Sequence, residues 1–169
     1  LIAMARHGIR HLPVTDAQGR PIGVLSERDL FALQSLSIGQ VGRALRAAPD
    51  VATLRALAVD IGRLTRRLLG QGVGARQLTE LISHLNDLLT ARLLELTAAR
   101  RGLDLTNACW LAFGSEGRGE QTVATDQDNG LVFASDDAPR DRPRWLALAQ
   151  DVNEALAACG YPLCEGLVM

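Results

Sequence analysis

Asp126 and Asp128 stand two residues apart, just ahead of an apolar run, Leu131-Val-Phe133. Side chains alternate along a strand, so this spacing would put both carboxylates on the same side of one strand. Two carboxylates a few ångströms apart suit a hard divalent cation and the phosphates it binds. Upstream, a second apolar run, Trp110-Leu-Ala-Phe113, stops at Gly114-Ser115. Gly114 lets the backbone approach a ligand closely. Ser115 adds a hydroxyl and an N–H at the start of a short helix, where phosphate is well bound. Arg118 has a planar guanidinium that matches phosphate oxygens. Each residue also has a plainer reading: a turn for Gly114, a solvated strand end for the aspartates, a surface ion pair for Arg118 with Glu120. Together they point to metal-assisted phosphate chemistry.

The surrounding elements must position that stretch. Val51, Leu54, Leu57, Ala58, Ile61, Leu64 and Leu68 recur at helical steps, with Asp50 as N-cap and Gly70, Gly72 and Gly74 as the stop. A second helix, about Arg76 to Arg101, carries Leu78, Leu81, Ile82, Leu85, Leu88, Leu89, Leu93 and Leu96 and ends at Gly102. The pair reads as a helical hairpin, its apolar stripes serving its own core or a dimer seam. After Ala108 the order is strand, turn, strand. A helix from Asp141 to Ala158 follows, with Trp145, Leu148, Val152, Leu156 and Cys159 on one face, and Tyr161 to Cys164 is a strand or loop. The class is α/β in character, more specifically α+β.

At the other end, residues 1–37 form a separate unit. Two short strands flank the turn residues Asp16-Ala-Gln-Gly19, and Ser26 caps a helix through Asp29, Leu30 and Leu33. A hairpin and one helix bury too little to stand alone. Residues 38–50, with Gly39, Gly42 and Pro49, read as a linker or short helix. The domain expectation is thus 1–37, a linker at 38–50, and 51–169, with the helical hairpin at 51–104. The chain starts at Leu1 and stops at Met169 within an apolar segment, which reads as a fragment truncated at its C-terminus.

Composition narrows the classes. The apolar fraction of 47% and charged fraction of 22% are those of a globular protein, and a net charge of −1 offers no basic field for nucleic acid. No apolar run reaches a membrane span, and no signal peptide is visible. Cys109, Cys159 and Cys164 fit no zinc spacing and read as reduced core cysteines of a cytoplasmic protein. His7, His11 and His84 lack metal partners at suitable spacing and read as structural or surface residues.

The pattern Gly114-Ser115, about ten residues, then Asp126-Gln-Asp128 resembles the signature of the polymerase-β-like nucleotidyltransferase fold. The fuller string GSEGRGEQTVATDQDN, with LISHLNDLLTARLLEL upstream and GYPLC downstream, resembles a narrower group. That group is the nucleotidyltransferase domains related to the N-terminal part of bacterial protein-PII uridylyltransferases, often found behind CBS domains in signalling proteins. The resemblance covers about Val51 to Met169. It implies a polymerase-β-like core with a small mixed sheet. Gly114, Ser115 and Arg118 would sit at the nucleotide phosphates, and Asp126 and Asp128 would be the catalytic metal ligands for Mg²⁺ or Mn²⁺. The reaction would move a nucleoside monophosphate from UTP or ATP to an acceptor hydroxyl, on a protein by resemblance. The fold usually has a third acid on a later strand, for which Glu165 is the candidate here. Without one, the domain would bind nucleotide and not turn it over.

Gly8 to Leu30, GIRHLPVTDAQGRPIGVLSERDL, resembles the later half of a CBS domain. There Ser26 and Asp29 would contact the phosphate and ribose of an AMP- or ATP-type ligand that regulates transfer; alternatively they only cap the helix. CBS domains work in pairs, so a homodimer through them or through the helical hairpin is expected.

Overall fold

The computed structural model describes residues 4, 7–122 and 125–164, with side-chain environments at all of these except 27, 28 and 30–37. Strands β1 (His11–Thr15) and β2 (Pro21–Ser26) form an antiparallel hairpin. Asp16 shapes its turn: Oδ1 accepts the backbone N–H groups of Gln18 and Arg20, and Gly19 adopts φ +80°. An Asp that accepts its neighbours' N–H groups, followed by a glycine in the left-handed region, is turn chemistry. Ser26 ends β2 and caps α1 (Glu27–Ala47).

Residues 38–47, expected as a linker or short helix, continue α1 without interruption. Ile38, Val41, Leu45 and Ala48 follow one another at three- and four-residue steps and lie against the core. That burial outweighs the cost of Gly39 and Gly42 inside a helix, roughly 1 kcal/mol each. The break comes at Ala48, where ψ turns to 125°, because the residue before a proline is driven out of the helical region. Asp50 then caps α2 (Val51–Gly70), accepting the N–H of Thr53 at 2.7 Å. A four-residue connection leads to α3 (Ala75–Arg101), which Gly102 closes at φ +64°.

Helix α3 is central. It packs against α1, α2 and the last helix, α5 (Ala138–Ala158). Leu54, Leu85, Leu89, Leu93 and Leu148 are fully buried in the shared core. Arg92 of α3 donates from Nε to the carbonyl of Ala48 at 2.9 Å, which ties the end of α1 to this bundle. Arg100 and Arg101 both reach Asp151, at 2.8 and 2.7 Å, and join α3 to α5.

Strands β3 (Ala108–Ala112) and β4 (Asn129–Phe133) pair antiparallel, with Trp110 opposite Leu131 and Ala108 opposite Phe133. Those four residues pack on the helical core, whereas Cys109 and Val132 on the other face are exposed. Phe133 stacks on Trp145 of α5 with centroids 5.5 Å apart. Helix α5 begins at Ala138, ahead of the expected Asp141, because Asp137 caps it by accepting the N–H of Arg140. Its face of Trp145, Leu148, Val152, Leu156 and Cys159 is buried, as the spacing predicts. The class is α+β; among the described residues both sheets are antiparallel pairs. No helix among these residues is long and apolar enough to cross a membrane.

Candidate active site

The two aspartates come together, but not on a strand as expected. Strand β4 starts at Asn129, and residues 125–128 run ahead of it as an extended segment with no ladder partner of their own. The cause is Gln127. Its N–H donates to the carbonyl of Pro162 at 3.1 Å, and its buried side chain donates from Nε2 to the carbonyls of Tyr161 (2.7 Å) and Asn153 (3.0 Å). Alternation survives without the ladder: Gln127 points inward, and Asp126 and Asp128 meet on the other side.

Asp128 is held across from the end of β3, where the N–H of Phe113 donates to its carbonyl at 2.7 Å. Its carboxylate then fills the space above Gly114. A Cβ on Gly114 would lie 2.1 Å from Asp128 Oδ2, and Gly114 has φ +52°. The positive φ favours glycine, and any side chain here would push the Asp128 carboxylate aside. Gly117 is similarly constrained, since a Cβ there would meet the Ala112 carbonyl oxygen at 2.5 Å. Between them runs a single helical turn, α4 (Gly114–Gly117). The Ser115 hydroxyl is 3.3 Å from that of Thr125, which links this turn to the aspartate segment.

A thiol joins the carboxylates. One ligand atom from each of Asp126, Asp128 and Cys164 lies within 4.8 Å of the others. Cysteine burial therefore departs from the expectation of three core residues. Cys159 is buried, and desolvation pushes its thiol up to about 11. Cys109 lies on the outer face of β3, and Cys164 is half-buried beside the aspartates. Cys109 faces out because its neighbour Trp110 faces in. Cys164 reaches the site because Gln127 ties the 161–164 loop to the aspartate segment.

Two acids that sequence reasoning missed complete the electrostatics. Burial pushes the Glu116 carboxyl up to about 7, and the charges of Asp87 and Asp128 push in the same direction. Partial desolvation by its neighbours also raises Asp87, although the residue is exposed, and nearby His84 opposes the shift. Asp87 comes from α3 and Glu116 from α4, so carboxyls from three segments crowd together here, and the crowding itself disfavours their ionisation unless a cation is present. A signal was present: Ser83, Asn86, Asp87 and Thr90 interrupt the leucine stripe of α3 with polar residues. Three of these, Ser83, Asn86 and Thr90, are buried.

Asn86 anchors a polar network beneath the acids. It donates to Gln121 Oε1 at 3.1 Å and accepts from the Tyr161 hydroxyl at 2.6 Å, while Ser83 Oγ accepts the N–H of Gln121 at 3.1 Å. Burial raises the Tyr161 phenol well above its ordinary range, so it stays a donor. A recess of about 10 Å³, room for roughly one water, lies here, lined by Asn86, Thr90, Glu116, Asp126 and Tyr161 among others. It is far below the roughly 300–1,000 Å³ that encloses a small molecule.

Arg118, Ser26 and Asp29, also expected at ligand sites, make contacts of their own. Arg118 pairs with Glu120 at 2.9 Å, both side chains more than half exposed. Ser26 and Asp29 form a capping box: Ser26 Oγ accepts the Asp29 N–H at 3.1 Å, and the Asp29 carboxylate accepts from the Ser26 N–H and hydroxyl at 2.9 and 2.6 Å. Glu165 lies outside the described residues. His84 and His11 are exposed, consistent with surface positions.

A strand pair closed by a glycine-serine turn, facing two clustered aspartates, defines a nucleotidyltransferase-like domain behind a small βα unit. Comparison with family models agrees. Residues 1–35 match the CBS domain, and residues 59–169 match the family described as "Putative nucleotidyltransferase DUF294". The second match spans more than half of the chain, and the chain belongs to that family. Searches of curated proteins and of solved structures find no match.

Proposed function

We propose that this protein is a signal-transduction nucleotidyltransferase that moves a nucleoside monophosphate from UTP or ATP to an acceptor hydroxyl, with a protein as acceptor. The observation that supports it is the meeting of the Asp126 and Asp128 carboxylates over Gly114, where a side chain would displace Asp128. The donor set fits a divalent cation, Mg²⁺ or Mn²⁺, with Asp126 and Asp128 as its ligands. When bound, that ion neutralises charge on the transferring phosphoryl group. Gly114 and Ser115 supply backbone N–H groups at the first turn of α4, which have no partner within the helix and suit phosphate. Phosphates would lie on the open face of the site, because the recess is too small to enclose a nucleotide. Arg118 would have to leave Glu120 to reach them, at little cost for an exposed pair.

The CBS unit would make the reaction responsive to an adenosine ligand at Ser26 and Asp29. Helix α1 leads from that capping box to the bundle that carries Asp87, a physical route for such regulation. A homodimer through CBS domains or the helical hairpin, in the cytoplasm, completes this reading. A second reading is a nucleotide-binding module without turnover. It is favoured by one observation: among the described residues the third group with a ligand atom within 4.8 Å of those of both aspartates is a thiol.

The test is transfer of label from UTP or ATP, with Mg²⁺ or Mn²⁺, to protein in a cell extract. Labelled protein that disappears in Asp126→Asn, Asp128→Asn and Gly114→Ala is the expected result. Nucleotide binding lost in the same variants, with no label transferred, would select the second reading. Neither label nor binding would sink both.

A further inference from the structure

We propose that Cys164 is a third metal ligand, so that the site prefers a thiophilic divalent cation such as Zn²⁺ or Co²⁺ over Mg²⁺. This rests on the reading of Asp126 and Asp128 as a metal-binding pair. Two segments bring the donors together: Asp126 and Asp128 lie ahead of β4, Cys164 lies after α5, and Gln127 staples the two stretches through Pro162 and Tyr161. Ligand atoms within 4.8 Å of one another are near the separations a single ion imposes. Metal–oxygen bonds of about 2.0–2.2 Å and metal–sulfur bonds of about 2.3 Å place donors roughly 3–4 Å apart, within reach of a small side-chain rotation.

Donor chemistry then sets the choice of ion. Mg²⁺ takes oxygen ligands in strict octahedral geometry and gains little from sulfur. Zn²⁺ and Co²⁺ accept carboxylate and thiolate together. On binding, the sulfur forms a bond to the ion as a thiolate and its proton passes to solvent. The Asp87 and Glu116 carboxyls nearby do not distinguish among cations. The selectivity therefore lies with the thiol.

The experiment is a titration of the reduced chain with Co²⁺, read by absorbance, alongside calorimetry with Zn²⁺ and Mg²⁺. The expected result is a thiolate-to-cobalt charge-transfer band that is lost in Cys164→Ser and retained in Cys109→Ser. Cys164→Ser should weaken Zn²⁺ binding by about tenfold or more. Its Mg²⁺ affinity should stay within about twofold. Cys164→Asp should lose the band and shift preference toward Mg²⁺, which guards against a serine variant that fails for lack of folding. No band in the wild type, or a band that persists in Cys164→Ser, overturns the proposal. Should Asp126→Asn and Asp128→Asn still weaken Mg²⁺ binding in that event, the carboxylate pair stands and only the thiol role falls. Metal binding unchanged by the aspartate variants would remove the carboxylate pair as well.

Discussion

Glu116 shows how one residue carries the electrostatic cost of the site. Its carboxyl ordinarily titrates at 4.5 and is pushed up to about 7 by burial and by Asp87 and Asp128. The folded state therefore holds the proton more tightly than the unfolded chain does. The associated stability is fully present below about 4.5 and is lost as pH rises through about 7. Glu116→Gln cannot lose a proton, so its stability should change less over that window. Allowing for partial solvent screening, the variant should gain about 1–3 kcal/mol on wild type between pH 4.5 and 8. Urea unfolding across that range, in chelator to remove the compensating charge of bound metal, checks the sign. Equal pH dependence in both proteins would mean that Glu116 is not desolvated as described. Gly114 is a different case at the same scale: its identity follows from φ +52° and from the Asp128 carboxylate in the space of its absent side chain.

At the scale of elements, the segment ahead of β4 is held by isolated backbone bonds to Pro162 and Phe113 and by the Gln127 side chain, where a strand would use a continuous ladder. Gln127 supplies two donor bonds to carbonyls of different segments, Tyr161 and Asn153. Gln127→Leu keeps the volume and removes both, leaving two carbonyls poorly satisfied. The expected destabilisation is about 1–3 kcal/mol. Amide exchange should rise locally in residues 160–164, and metal binding should weaken although no ligand was changed. A uniform rise in exchange across the whole chain would instead indicate general unfolding. Helix α1 makes a related point. Its extension through Gly39 and Gly42 follows from contacts of Ile38, Val41 and Leu45 with the bundle, and local propensity opposes it.

Over the whole molecule, one hydrophobic cluster spans the end of α1, α2, α3 and α5 and takes in one face of the β3–β4 pair. The candidate site adjoins this cluster at Leu156 and Tyr161. Leu148 is fully buried at its centre. Leu148→Ala should cost about 2–5 kcal/mol through lost burial and the cavity left behind. Trp145 fluorescence and helical ellipticity should fall together in one shifted transition, since both report the same core. Two separated transitions would show that α5 and the strand pair unfold independently of the helical hairpin.

Much of this was legible in the chain itself. The helices of 51–70 and 75–101, their cap at Asp50 and stop at Gly102, and the buried face of α5 follow from period and capping chemistry, which act between near neighbours. The family match and the α+β class likewise agree with what the motifs implied. Tertiary structure alone decided the rest. Period-two spacing placed Asp126 and Asp128 on one side, but whether they sat in a ladder depended on Gln127 finding partners 26 and 34 residues away. Cys164, Asp87 and Glu116 are far from one another in sequence and become one site through packing. A thiol beside carboxylates, or a carboxyl that keeps its proton near neutrality, is a property of distance and desolvation, and neither is encoded in any local run of residues.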